Sequence, residues 1–156
     1  MANENIFTTK VSDYAISRPS YAAEAIDRIL SKMLKEGDLI ADVGSGTGIF
    51  SKEFLVHGYE VFGIEPNDAM RLEAEKVYGK NKLFHSVSAT AERTGLPSGS
   101  ISLVTAASAF HWFDIPQFYE ECKRILKPDG IVCIIANARI YDSFTEKQQP
   151  ATAAIV

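Results

Sequence analysis

Residues 41–50 read ADVGSGTGIF, and Asp42, Gly44, Ser45, Gly46 and Gly48 are the positions there that bear on chemistry. Glycines at alternate positions remove side-chain bulk and leave backbone N–H groups bare, which suits close approach of a flat or charged ligand. A turn of this kind after a strand serves NAD, FAD, ATP or S-adenosylmethionine. A phosphate-cradling loop needs GxxxxGK followed by Ser or Thr. Here the first lysine after Gly48 is Lys52, at the wrong spacing. A dinucleotide fingerprint needs GxGxxG, whose last glycine lets helix and strand pack; this chain has GxGxG. The Asp42 carboxylate beside the loop would repel a pyrophosphate and welcome an ammonium or a sulfonium. That favours a cationic ligand over a dinucleotide.

Two further acids stand where a nucleoside would need them. Glu65 closes the segment YEVFGIE (59–65) and could accept both hydroxyls of a ribose. That role fits any adenosine-containing ligand, so Glu65 alone does not separate NAD from S-adenosylmethionine. Glu92, in TAERTGLP (90–97), could meet the exocyclic amine of an adenine.

These positions need a scaffold, and the chain alternates in a way that supplies one. SYAAEAIDRILSKML (20–34) puts Ala22, Ile26, Ile29, Leu30 and Met33 on one helical face, with Ser20 as a cap and Gly37 as a stop. Strands are expected over 39–43, 59–65, 82–87, 101–108 and 131–138. Short continuous apolar runs of this sort mark strands covered on both faces. Helices are expected over 48–58, 67–79 (capped by Asn67, ended by Gly79) and 115–127, with Pro116 in the first turn of the last. Residues 88–100 form a loop, PDG (128–130) a turn, and 138–156 an irregular tail. Strand and helix in alternation demand a doubly wound α/β fold: a Rossmann-like parallel sheet of order 3-2-1-4-5 between two helical layers. Ligands then bind at the carboxyl ends of the strands, where the glycine loop falls.

Bulk properties narrow the partners. The 156 residues fit one domain, and 46% apolar with 23% charged residues is ordinary for a globular protein. A net charge of −4 without a basic run argues against nucleic acid or an anionic membrane. No apolar run approaches the roughly 20 residues of a membrane span, and MANENIFTTK lacks a signal pattern. Cys122 and Cys133 read as buried thiols, and with His57 and His85 they show no metal spacing. A cytoplasmic location is the expectation.

Taken together, ADVGSGTGIFS, the strand ending GIEP, SATAERTGLPSGSISLVTAASAFHWFD and CKRILKPDGIVCII resemble the class I S-adenosylmethionine-dependent methyltransferases, most closely the small-molecule type 11 kind. The opening DYAISRPSYAAEAID is similar to a Tyr…ArgPro…Tyr start common there, so the resemblance runs from residue 13 to about 137. It implies S-adenosyl-L-methionine as cofactor. Asp42 and the loop through Gly44, Ser45, Gly46 and Gly48 would hold its methionine part. Glu65 would take the ribose hydroxyls, with Pro66 and Asn67 beside the adenosine. Ala91 and Glu92 would flank the adenine, and Ala107 and Ser108 would face the methyl group. Tyr14 and Arg18 resemble lid residues.

Methyl transfer from a sulfonium is an in-line displacement, so the enzyme mainly aligns the reactants and excludes water. No metal is required. Where the acceptor must lose a proton, His111 in AFHWFD is the candidate base, against the bland reading that it orients its loop. Trp112 and Phe113 read as packing residues before acceptor contacts. Members of the family usually continue past the fifth strand with a helix and an antiparallel hairpin. About 19 residues follow Asn137 here, so that hairpin is expected to be missing and the fifth strand to present an apolar edge. The tail could fold onto it, another chain could cover it as in a homodimer, or the sequence could be a fragment. The alternative function is then a methyltransferase-fold module that binds the cofactor or a partner without turnover. A nicotinamide-dependent oxidoreductase is a third reading, disfavoured by GxGxG and Asp42.

Overall fold

The computed structural model describes residues 23–141 and 148–155. Tyr14, Arg18 and Ser20, and with them the expected lid, lie outside the described residues. Helix α1 (Ala23–Met33) precedes β1 (Leu39–Val43), α2 (Ile49–Leu55), β2 (Glu60–Ile64), α3 (Asp68–Tyr78) and β3 (Phe84–Val87). Strand β4 (Ile101–Ala107) follows, then a 3-10 turn (Phe110–Trp112), α4 (Ile115–Ile125), β5 (Leu126–Tyr141) and β6 (Gln148–Ile155).

The sheet order is β3-β2-β1-β4-β5-β6. β1 through β5 run parallel in the expected 3-2-1-4-5 order. Successive residues of β1 serve opposite faces. Ile40 enters a core with Ile26 and Ile29 of α1, Phe50 and Phe54 of α2 and Ala74 of α3. Ala41 and Val43 enter the other, with Phe118, Cys122 and Ile125 of α4. Both faces are therefore covered, which is why β1 is apolar apart from Asp42. The chain leaves β1 toward β2 and β3, then returns to β4 on the other side. The crevice between the carboxyl ends of β1 and β4 is the switch point.

Local rules set the element ends. The Asn67 side chain accepts from Met70 N at 3.0 Å and caps α3. Asp114 caps α4 by accepting from Gln117 N at 3.2 Å. His57 follows α2, and His85 lies on β3 with its Nε2 2.7 Å from Glu60 Oε1.

The carboxyl end departs from expectation. Within the range expected to be an irregular tail, β5 continues to Tyr141, and β6 pairs antiparallel along it from Ile134↔Ile155 to Tyr141↔Gln148. The edge of the fifth strand is thus occupied by β6, the expected alternative in which the tail folds onto that edge. Near its start β5 shifts register against β4, from Ile101↔Leu126 to Leu103↔Ile131. The expected Pro-Asp-Gly turn falls at this irregularity, where a Cβ on Gly130 would lie 3.0 Å from Leu126 Cβ, and α4 ends at Ile125 instead of residue 127. Among the described residues no helix is long and apolar enough to cross a membrane.

Candidate functional site

A cleft of about 1120 Å³ opens over the carboxyl ends of β1, β2 and β4. Its floor is the β1–α2 loop, through Asp42, Gly44, Ser45, Gly46 and Thr47. One wall is the β2 end, with Glu65, Pro66, Asn67 and Met70; another is the loop carrying Thr90, Ala91, Glu92 and Arg93. Ala107, Ser108 and Ala109 close the β4 side, followed by Trp112 and Phe113 and by Asp114, Gln117, Glu121 and Arg124 about α4.

The two glycines that flank Thr47 do different work. Gly46 adopts φ +58, and a Cβ there would meet nothing nearer than Met70 Cε at 3.5 Å. It keeps the cleft floor bare. Gly48 adopts φ +83, and a Cβ would lie 2.7 Å from the Tyr78 ring. Gly48 is therefore the packing glycine that lets α2 begin against α3, and it does not line the cleft. Sequence reasoning assigned it a ligand-holding role; the last glycine of a GxGxG loop can serve packing as that of GxGxxG does.

Glu65 braces the loop. It is buried, with Oε2 accepting from Gly46 N at 2.8 Å and Oε1 from Asn67 N at 2.9 Å. Gly44 N and Ser45 N donate to the Ile64 carbonyl at 2.8 and 3.1 Å. Asp42 is 1% exposed and sits under the loop. Its Oδ2 accepts from Ser51 Oγ at 2.6 Å and its Oδ1 from Thr105 Oγ1 at 3.1 Å. Burial pushes its carboxyl up to about 6; the two hydroxyls oppose the rise and the Glu65 charge adds to it. A buried acid held by neutral donors is a place where a ligand's positive charge would be welcome.

Ser108 is the single non-glycine residue at positive φ among those described, at 53°. Its N–H donates to the Ile135 carbonyl at 2.7 Å. A strained conformation at the β4 tip, inside the cleft, is the kind that active sites hold in place. Glu92 accepts from Asp114 N at 2.9 Å, so it ties its loop to the start of α4 while lining the cleft.

Of the residues singled out from sequence, the fold brings Asp42, Gly44, Ser45, Gly46, Glu65, Pro66, Asn67, Ala91, Glu92, Ala107 and Ser108 to one cleft. It does not bring His111. That side chain is on the exposed side of the 3-10 turn, its ring 4.8 Å from that of Trp112, and the next two residues line the cleft instead. Trp112 and Phe113 line the cleft. Phe113 also packs on the α4 core, and Trp112 is 45% exposed at the rim.

Sequence reasoning missed the polar underpinning. Thr105 reaches Asp42 because β4 pairs with β1 in the register Asp42↔Thr105, and nothing local announces that register. Glu121 is buried and accepts from Thr94 N and Thr94 Oγ1 at 2.8 and 2.6 Å. Arg124 donates to it through Nε and NH2, both at 2.8 Å. The Arg124 guanidinium, with the Thr94 bonds, holds the Glu121 carboxyl down at about 2 against the opposing effect of burial.

Comparison with known proteins places this geometry in context. A family model described as Methyltransferase domain matches residues 41–134. A Dictyostelium discoideum protein named as a methyltransferase is 38% identical over 121 residues, covering 78% of this chain and 44% of its own length. A Saccharomyces cerevisiae protein named as an S-adenosylmethionine-dependent methyltransferase is 30% identical over 72% of this chain and 40% of its own. The chain thus spans about half the length, or less, of these relatives. Among solved structures, a methyltransferase from Anaeromyxobacter dehalogenans is 27% identical with a TM-score of 0.68, covering 78% of this chain and 49% of its own. A Haemonchus contortus phosphoethanolamine N-methyltransferase in complex with S-adenosylhomocysteine shares the fold at 19% identity, with a TM-score of 0.71 over 90% of this chain and 36% of its own.

Proposed function

The chain belongs to the methyltransferase-domain family, and on that premise we propose that it binds S-adenosyl-L-methionine in the cleft and transfers the methyl group to a small-molecule acceptor. One observation carries the reading. Two buried carboxylates, at the tips of neighbouring strands, flank a side-chain-free floor: Asp42 below the loop and Glu65 beside it. The residues present fit the cofactor. Asp42 receives hydroxyl donors and no cationic side chain, and no lysine or histidine lines the cleft among the described residues.

When bound, the cofactor supplies an electrophilic methyl on a sulfonium. Asp42, Gly44, Ser45 and Gly46 would hold the methionine end. Glu65 would accept from the ribose hydroxyls, with Pro66 and Asn67 alongside. Ala91 and Glu92 would flank the adenine. Ala107 and Ser108 would set the floor beneath the reacting carbon, and Trp112 and Phe113 would exclude water on the acceptor side. The net charge of −4 and the acidic lining favour a neutral or cationic small acceptor over nucleic acid.

The position of His111 outside the cleft favours a second reading, a module that binds the cofactor without turnover. Calorimetry with S-adenosylhomocysteine and with NAD, followed by a methyl-transfer assay over a panel of small acceptors, tests both. Tight nucleoside binding with turnover supports the enzyme; binding without turnover supports the module. Preference for NAD would remove both readings.

A further inference from the structure

We infer that Glu121 is a positioning residue: from α4 it fastens the 90–96 loop so that Ala91 and Glu92 stand as the adenine wall of the cleft. This rests on the cofactor reading above.

Ala91 and Leu96 pack into the core beside α4, but few polar contacts fix the direction of that loop. Its Thr90↔Arg93 bridge is internal to it, and the Glu92 bond to Asp114 N is exposed to water. Gly95 and Gly99 sit at positive φ with nothing within 4 Å of a would-be Cβ. The strong polar fastening is buried: one Glu121 oxygen receives both the amide and the hydroxyl of Thr94. Thr94 Oγ1 in turn accepts from Leu96 N at 3.2 Å, which passes the constraint two residues on. Arg124 grips the same carboxylate in a fork, and that geometry fixes its direction as well as its charge. Glu121 therefore points at the loop with its rotamer already set. Glu92, two residues before Thr94, then reaches the first turn of the same helix. The adenine wall and the aromatic turn ahead of α4 are referenced to one rigid element, and the loop has no comparable attachment to β3 or β4 among the described bonds.

A loop that loses this fastening samples other poses, and affinity falls by the fraction of time it spends in the competent one. Thr94→Val removes the hydroxyl and keeps the shape. In the full chain it should weaken S-adenosylhomocysteine binding roughly tenfold, the scale of one hydrogen bond to a charged group. It should also reduce the preference for S-adenosylhomocysteine over S-inosylhomocysteine, which lacks the adenine amine. Thr94→Ser should restore both, and Glu121→Gln should behave as Thr94→Val does. Calorimetry with the two ligands, alongside thermal unfolding, reads these outcomes. Unchanged affinity in Thr94→Val overturns the inference. So does an equal loss for both ligands accompanied by a fall in Tm, which would mark a structural role only. Failure of the unaltered chain to bind S-adenosylhomocysteine overturns the cofactor reading itself, and the inference with it.

Discussion

Asp42 is the residue whose environment has the most to say about solution behaviour. Its folded-state carboxyl stands at about 6 because burial disfavours the charge, while an unfolded Asp titrates near ~3.9. Between those values the folded chain binds more protons than the unfolded one, so unfolding free energy falls as pH climbs from about 4 to about 6. Asp42→Asn removes that slope. Urea unfolding of both proteins at pH 4 and pH 7 should show the difference moving in the variant's favour by about 2–3 kcal/mol. An equal difference at both values would mean that Asp42 does not titrate in that window. Glu65→Ala acts elsewhere: it should weaken S-adenosylhomocysteine binding by about 2–3 kcal/mol, the scale of hydrogen bonds to a charged acceptor. Calorimetry checks it, and unchanged affinity would remove Glu65 from the site. The acids and glycines here were legible because their types and spacing are local. The hydroxyls of Ser51 and Thr105 were not, since Thr105 meets Asp42 only through sheet register.

At the scale of elements, the start of α2 is under a tight steric demand. Gly48 is its N-cap at φ +83, with the Tyr78 ring filling the space of a Cβ. Gly48→Ala should destabilise the chain by about 1–3 kcal/mol through strain and displacement of Tyr78. A thermal melt that does not shift would show that α3 yields without cost. Helix positions were readable from apolar spacing and caps; Asn67 and Gly79 bound α3 where the sequence placed them. Gly48 was assigned to the ligand because a positive-φ glycine looks the same whether it bares a floor or admits a helix. Only the neighbour across the gap tells the two apart. The place of His111 outside the cleft lining was not legible for a related reason: the phase of the 3-10 turn is not written in a run of aromatics.

For the whole molecule, strand order was legible because alternation of short apolar strands with helices leaves few right-handed parallel arrangements. β6 was not. QQPATAAI has little β-propensity and contains Pro150, and its pairing with β5 is a tertiary choice. An outermost strand tolerates a proline, since its outer N–H groups need no ladder partner. We propose that β6 shields β5 from a second copy, so that association through that edge requires its displacement. Removing residues 148–156 should bare the β5 edge and promote self-association. Light scattering at micromolar concentration would detect it; a monomeric truncated chain would show that β6 is dispensable as a cover.

The bond from Glu65 to Gly46 N has a kinetic corollary. A receptor whose binding surface is already braced by its own acid has no slow reshaping step to complete when a nucleoside arrives. In stopped-flow mixing, the observed rate should therefore rise in proportion to ligand concentration without levelling off, and the lifetime of the complex should carry the differences among ligands.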